Sequence, residues 1–135
     1  MSLDFFVDCF ANGQPKAFKR SAFDSIFGEY VVERTVGFSR LRYPDQAGGA
    51  EVYIDDADEI GCVMFNHCGG DLFWQGVYEF VKAIDGVIWW ANVDHISAVA
   101  NVDVLKQLPA MFVDENANPT VIANGQELVE AIQRS

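Results

Sequence analysis

Basic residues are scarce in this chain, and the scarcity is uneven. Of its nine Lys and Arg residues, only Lys82, Lys106 and Arg134 lie beyond residue 42. That longer part also carries 15 carboxylates and a net charge of −12, whereas residues 1–42 hold six cations against five carboxylates. The overall −11 excludes a nucleic-acid or anionic-lipid partner, because both demand positive potential. The same field attracts a basic protein at long range. Cysteine is sparse as well: Cys9, Cys62 and Cys68 form an odd set without C-x-x-C spacing. Such a set argues against a disulfide framework and for a reducing compartment. No stretch approaches the ~18 consecutive apolar residues of a membrane span. Asp4 and Asp8 interrupt the early apolar run, and no basic segment precedes it, so a signal peptide is not expected. The expected location is cytoplasmic.

Catalytic signatures are missing too. There is no G-x-S-x-G, no G-x-G-x-x-G and no G-x-x-x-x-G-K-[ST] pattern. The only histidines, His67 and His95, are far apart and form no H-x-x-x-H or Cys/His cluster, so neither a metal nor a cofactor is expected.

What the chain does contain is core material. Half of its 135 residues are apolar and 11 are Phe. One domain spanning residues 1–135 is expected, since a chain of this length buries roughly two-thirds of its unfolded surface. Leu3, Phe5, Val7 and Cys9 alternate with Asp4 and Asp8, which predicts a half-buried first strand. A short helix is predicted over 21–27, with Ser21 and Asp24 resembling a capping box and Gly28 as its stop. Strands follow over 30–36, 38–43, 51–54 and 60–68, reading as a meander. Asp71 is an apt N-cap for a helix over 71–85. Phe73, Val77, Phe80, Val81 and Ile84 form its apolar stripe, and Gly86 ends it. Val87 to Ala91 is an unbroken apolar run, as in a strand covered on both faces. A short helix over 101–108, a strand over 120–123 and a terminal helix capped by Asn124 and Glu127 complete the reading. The fold class is α+β. A mainly antiparallel sheet of about five or six strands is expected, with one long helix on one face and shorter flanking helices.

Several residues invite a chemical reading. Cys68 stands at a strand end before Gly69-Gly70 and a helix start, where a thiolate gains from the helix dipole. This is the alternative of a Cys68-dependent enzyme or redox protein. Against it, Asp71 brings a negative charge to the same place, and His67 points to the opposite strand face. Gly69 and Gly70 read as a sharp strand-to-helix turn rather than as a phosphate cradle. The acidic run Asp55, Asp56, Asp58 and Glu59 is not an EF-hand loop, because the twelfth position counted from Asp56 is His67. It reads as a solvated turn, or as a contact surface for Lys and Arg of a partner. Asp114 and Glu115 form a second such patch. Arg34, Arg40 and Arg42 lie on two successive strands, where pairing with the surplus carboxylates accounts for them. Trp89 and Trp90, being adjacent, face opposite sides of a strand. Burial of both is expected, and a surface Trp would instead anchor a small dimerisation module.

Three stretches carry a resemblance. They are Phe6-Val7-Asp8-Cys9-Phe10 with Asn12-Gly13 and Phe18, then Cys68-Gly69-Gly70-Asp71-Leu72-Phe73-Trp74. The third is Pro119-Thr120-Val121-Ile122 with Gln126-Glu127-Leu128-Val129-Glu130-Ala131-Ile132. In order and spacing, they resemble small uncharacterised bacterial proteins of the polymorphic-toxin immunity type. The resemblance implies a cytoplasmic bacterial α+β protein that neutralises a toxin by binding it, and it transfers no catalytic residue. Where that group favours Pro before the Cys-Gly turn, this chain has His67. The expected function is therefore non-enzymatic binding of a basic protein, such as a toxin domain. Asp55, Asp56, Asp58, Glu59, Asp114 and Glu115 would form the contact surface.

Overall fold

The alternation at the start of the chain becomes the centre of a sheet. In a computed structural model, which describes residues 4–44, 48–90, 96–113 and 118–134, Phe5, Val7 and Cys9 are buried on one side of the opening segment. The main sheet comprises β1 (Phe5–Asp8), β2 (Val31–Thr35), β3 (Phe38–Arg42), β4 (Gly49–Tyr53), β5 (Cys62–Gly69), β6 (Val87–Trp90), β7 (Ile96–Val99) and β8 (Thr120–Val121). Its spatial order is β8-β7-β6-β1-β5-β4-β3-β2. Every pair is antiparallel except β7 with β8, where Ala98 faces Thr120 and Val99 faces Val121. Among the described residues the sheet is therefore mixed and has eight strands, not five or six. The extra members are β7, which no sequence pattern had suggested, and β8, which joins the same sheet.

Chain direction explains the layers. β5 and β6 flank β1 and are both antiparallel to it, so they run parallel to each other. Parallel strands need a crossover, and α2 (Asp71–Ile84) provides it across one face. α1 (Arg20–Phe27) and α3 (Gly125–Gln133) accompany it. The described residues thus show helices of 8, 14 and 9 residues, rather than one long helix with minor companions. Their inward residues Phe23, Phe27, Phe73, Phe80 and Leu128 meet Phe5, Val52, Phe65 and Trp90 of the sheet in one apolar core. No helix among the described residues is long and apolar enough to cross a membrane.

The predicted stripe of α2 is buried at Phe73, Val77, Phe80 and Val81, but the ends of the helix differ from expectation. Gly70, not Asp71, occupies the N-cap, with φ of 101° that only glycine adopts without strain. Asp71 is the first helical residue, where its charge suits the positive end of the helix. At the other end Asp85, not Gly86, takes the left-handed conformation, and the Gly86 N–H donates to the Val81 carbonyl at 3.0 Å. The capping box expected at Ser21 does not form, since α1 starts one residue earlier and Lys19 caps it without a side-chain bond. The terminal helix follows expectation: Asn124 Oδ1 accepts from the Glu127 N–H at 2.8 Å, and Glu127 Oε1 accepts from the Ala123 N–H at 3.0 Å.

The second face of the sheet is only partly covered. Two 3-10 turns, Val102–Gln107 and Ala110–Phe112, place Val104, Leu108 and Phe112 over Val87 of β6 and Val99 of β7. Strand β6 is therefore covered on both sides, as its unbroken apolar run implied. Over β3, β4, β5 and β1 the same face carries half-buried or exposed side chains, and no helix or 3-10 turn among the described residues packs on it.

Candidate partner-binding surface

The acidic run lies in the connection from β4 to β5, and its backbone is held by α1. Lys19 and Phe18 pair antiparallel with Glu59 and Ile60. The Arg20 N–H donates to the Asp58 carbonyl at 2.8 Å, and the Arg20 guanidinium donates to the Asp55 carbonyl. Arg20 is only 9% exposed, and its Nε lies 3.5 Å from Asp24 Oδ2. From the other side, the Gly37 N–H donates to Asp56 Oδ2 at 3.1 Å and the Ile54 N–H to the Gly37 carbonyl at 3.2 Å. The turn is thus a braced platform with its carboxylates outward.

Asp55, Asp56, Asp58 and Glu59 are all exposed. Glu59 pairs with Lys19 at 3.2 Å, an exposed contact worth at most ~1 kcal/mol. No cation among the described residues pairs with Asp55, Asp56 or Asp58. Asp114 and Glu115, the second proposed patch, lie outside the described residues. Among the described residues, no group of three His, Cys, Asp or Glu is placed to hold a metal ion.

Arg20 is the residue the sequence reading missed. Its only signal was a basic residue at the start of an amphipathic helix, which reads as solvated. Replacing it with alanine would take the guanidinium donor from the Asp55 carbonyl and leave Asp24 with Arg34 as its remaining partner. The Arg20→Ala protein is expected to lose about 2–3 kcal/mol in denaturant unfolding, with partial recovery in Arg20→Lys. A loss below about 0.5 kcal/mol would show that the turn holds without it.

The other candidates fall elsewhere. Arg34 pairs with Asp24 at 3.3 Å, and Arg40 with Glu33 at 2.7 Å and Glu51 at 3.5 Å, so both spend their charge internally. His67 sits at a register shift between β4 and β5 with φ of 51°, and its Nδ1 lies 3.0 Å from Glu51 Oε2. Trp90 is 1% exposed under the helices. Trp89 is half-buried on the opposite face, stacked on Phe6 at 4.5 Å and donating from Nε1 to Asp8 Oδ2 at 2.5 Å. On the open part of that face, Phe38, Tyr53, Met64, Phe6 and Trp89 are successive partners across five strands, and Tyr53 is 43% exposed.

All three cysteines are free, and the environment of Cys68 opposes nucleophilic chemistry. Burial pushes its thiol far above the ordinary value, and the Asp4 carboxylate adds to the shift; the opposing charge is thus Asp4 and not Asp71. Cys9 is pushed up from 9.0 to about 12, again chiefly by burial. Both groups hold their protons more tightly when folded. Their contribution to stability is therefore intact below pH 9 and is lost as pH rises toward 12. We expect the unfolding free energy to fall over that interval. At neutral pH, iodoacetamide should alkylate native Cys68 at least roughly tenfold more slowly than the denatured chain, as mass spectrometry would show. Equal rates would revive the thiol as a nucleophile.

Together these features define an α+β protein with a mixed sheet, a helical layer on one face and a braced acidic turn at the end of its meander. Compared with protein-family models, curated proteins and solved structures, the chain finds no match in any of the three.

Proposed function

We propose that this protein acts by binding a basic protein partner, as an immunity-type inhibitor neutralises a toxin domain, and not by catalysis. The observation that carries the reading is the Asp55–Glu59 turn: four exposed carboxylates on a braced backbone, with Lys19 as their one side-chain counter-ion among the described residues. Such a surface raises the encounter rate with a cationic partner and orients it before short-range contacts form. Cytoplasmic location and bacterial origin belong to the same proposal.

A growth assay tests it. The product of the neighbouring gene, expressed alone in a bacterial host, is expected to arrest growth, and co-expression of this protein should restore it. The purified pair should associate at a rate that falls steeply between low and physiological salt. A rate indifferent to salt would remove the electrostatic basis of the reading.

A further inference from the structure

A second negatively charged feature lies on the helical layer, away from the acidic turn. Alongside its buried stripe, α2 carries Leu72, Gly76 and Glu79 at i, i+4 and i+7, a separate stripe turned toward α1. With Ile26, Glu29 and Tyr30 these residues line a groove of about 300 Å³. Gly76 makes the groove possible. A Cβ at this position would come within 3.2 Å of the Phe27 ring and 3.6 Å of Ile26, so α1 approaches α2 closely and no side chain fills the floor. Leu72, 48% exposed, and Ile26, packed at the edge of the core, supply the aliphatic part of the wall, beside the polar Ser25 and Gln75. Tyr30 lies flat against Tyr43 with ring centroids 4.0 Å apart, which fixes the plane of its ring at the groove. Both charged residues of the lining, Glu29 and Glu79, are exposed carboxylates, and no cation among the described residues lines the groove. An aliphatic wall, a fixed aromatic ring and two carboxylates are the contacts that one arginine side chain satisfies at once. Its stem covers the aliphatic wall, its planar head stacks on the ring, and its N–H groups meet the acids.

We propose that this groove is an anchor site for an arginine side chain of the basic partner, an inference that rests on the binding function proposed above. The groove would supply short-range specificity and the acidic turn long-range attraction, two roles that different measurements separate.

The test uses N-acetyl-arginine methylamide, with the lysine and norleucine analogues as comparisons, titrated into the isotope-labelled protein at millimolar concentration. Amide shifts are expected to concentrate in residues 25–30 and 72–79. Glu29→Gln/Glu79→Gln should weaken binding roughly five- to tenfold, whereas neutralising Asp55–Glu59 should leave it unchanged. Leu72→Ser, which keeps both charges, should weaken it by a smaller factor. Shifts centred on the acidic turn, or no shifts, would overturn the arginine site while leaving the binding function standing. Equal binding of the norleucine analogue would reduce the groove to an apolar patch and overturn it too. Equal lysine binding would overturn the choice of arginine. Dilution-dependent shifts of the same residues without any peptide would assign the groove to a second copy of the chain instead. A groove that binds arginine in a protein whose association with its partner ignores salt would support the site and overturn the function on which it rests.

Discussion

Phe65→Ala is expected to remove about 3–5 kcal/mol of stability, among the largest losses that a single core truncation here should produce. Phe65 is fully buried on β5, stacked on Phe5 at 4.8 Å, and its ring also meets Phe23, Phe27 and Phe73 at 6.5, 5.8 and 5.8 Å. It is therefore where the central strands, α1 and α2 converge. Alanine leaves a cavity bounded by rings on two helices and a neighbouring strand, none of which can collapse into it without moving a whole element. Against a total stability of about 5–15 kcal/mol for an ordinary domain, the loss is about a fifth or more, and Tm should drop by roughly 10–20 °C. Phe38→Ala is the control: Phe38 is half-buried on the open face, against Tyr53 at 5.3 Å, and its truncation should cost about 1 kcal/mol. Similar losses at both positions would mean that the shared helical core is not the main source of cooperativity.

The second large effect is kinetic. A protein carrying Asp55→Asn, Asp56→Asn, Asp58→Asn and Glu59→Gln is expected to associate with its basic partner at least roughly tenfold more slowly at low salt. Its dissociation rate should change far less. The substitutions suit this purpose because they leave the bracing intact. The anchoring bonds from Arg20 go to the backbone carbonyls of Asp55 and Asp58, and an Asn at 56 still accepts from Gly37. Only the Glu59–Lys19 pair is lost, and its ends are 64% and 71% exposed. Folding should thus survive within about 1 kcal/mol while the field changes by four charges. Raising the salt should bring the two proteins' rates together, since exposed charges are screened beyond ~8 Å at physiological ionic strength. An unchanged association rate in this variant would place recognition elsewhere on the molecule, with the groove between α1 and α2 and the open aromatic row as the surfaces left to test.

Much of the fold was legible because local periodicity and tertiary burial agree. The stripe of α2, the first strand, the meander and the Asn124 cap all obey rules that act over four residues or fewer. The misreadings have two physical sources. The first is competition at element ends: Gly70 and Asp85 take the positive-φ positions that close α2, displacing Asp71 and Gly86 by one residue each. The second is pairing over long range. Strand β7 has only four residues, and β8 has two. The strand over 120–123 was expected as an element, but its place in the sheet, like the existence of β7, depends on the open edges that β7 and β6 present to them.

The candidate surface divides in the same way. The acidity of residues 43–135 and the exposure of the Asp55–Glu59 turn follow from residue types alone, because carboxylates without partners stay in water. Composition likewise dictated an aromatic core and an amphipathic central helix. Only the tertiary structure decided that Arg20 is buried beneath the turn, that Cys68 is held protonated near Asp4, and that Gly76 opens a groove flanked by Glu29 and Glu79. Each of these depends on residues 35 to 64 positions apart, or on the packing of two helices. Contacts at such separations are set by how the layers close on one another, and no short window of sequence contains that information.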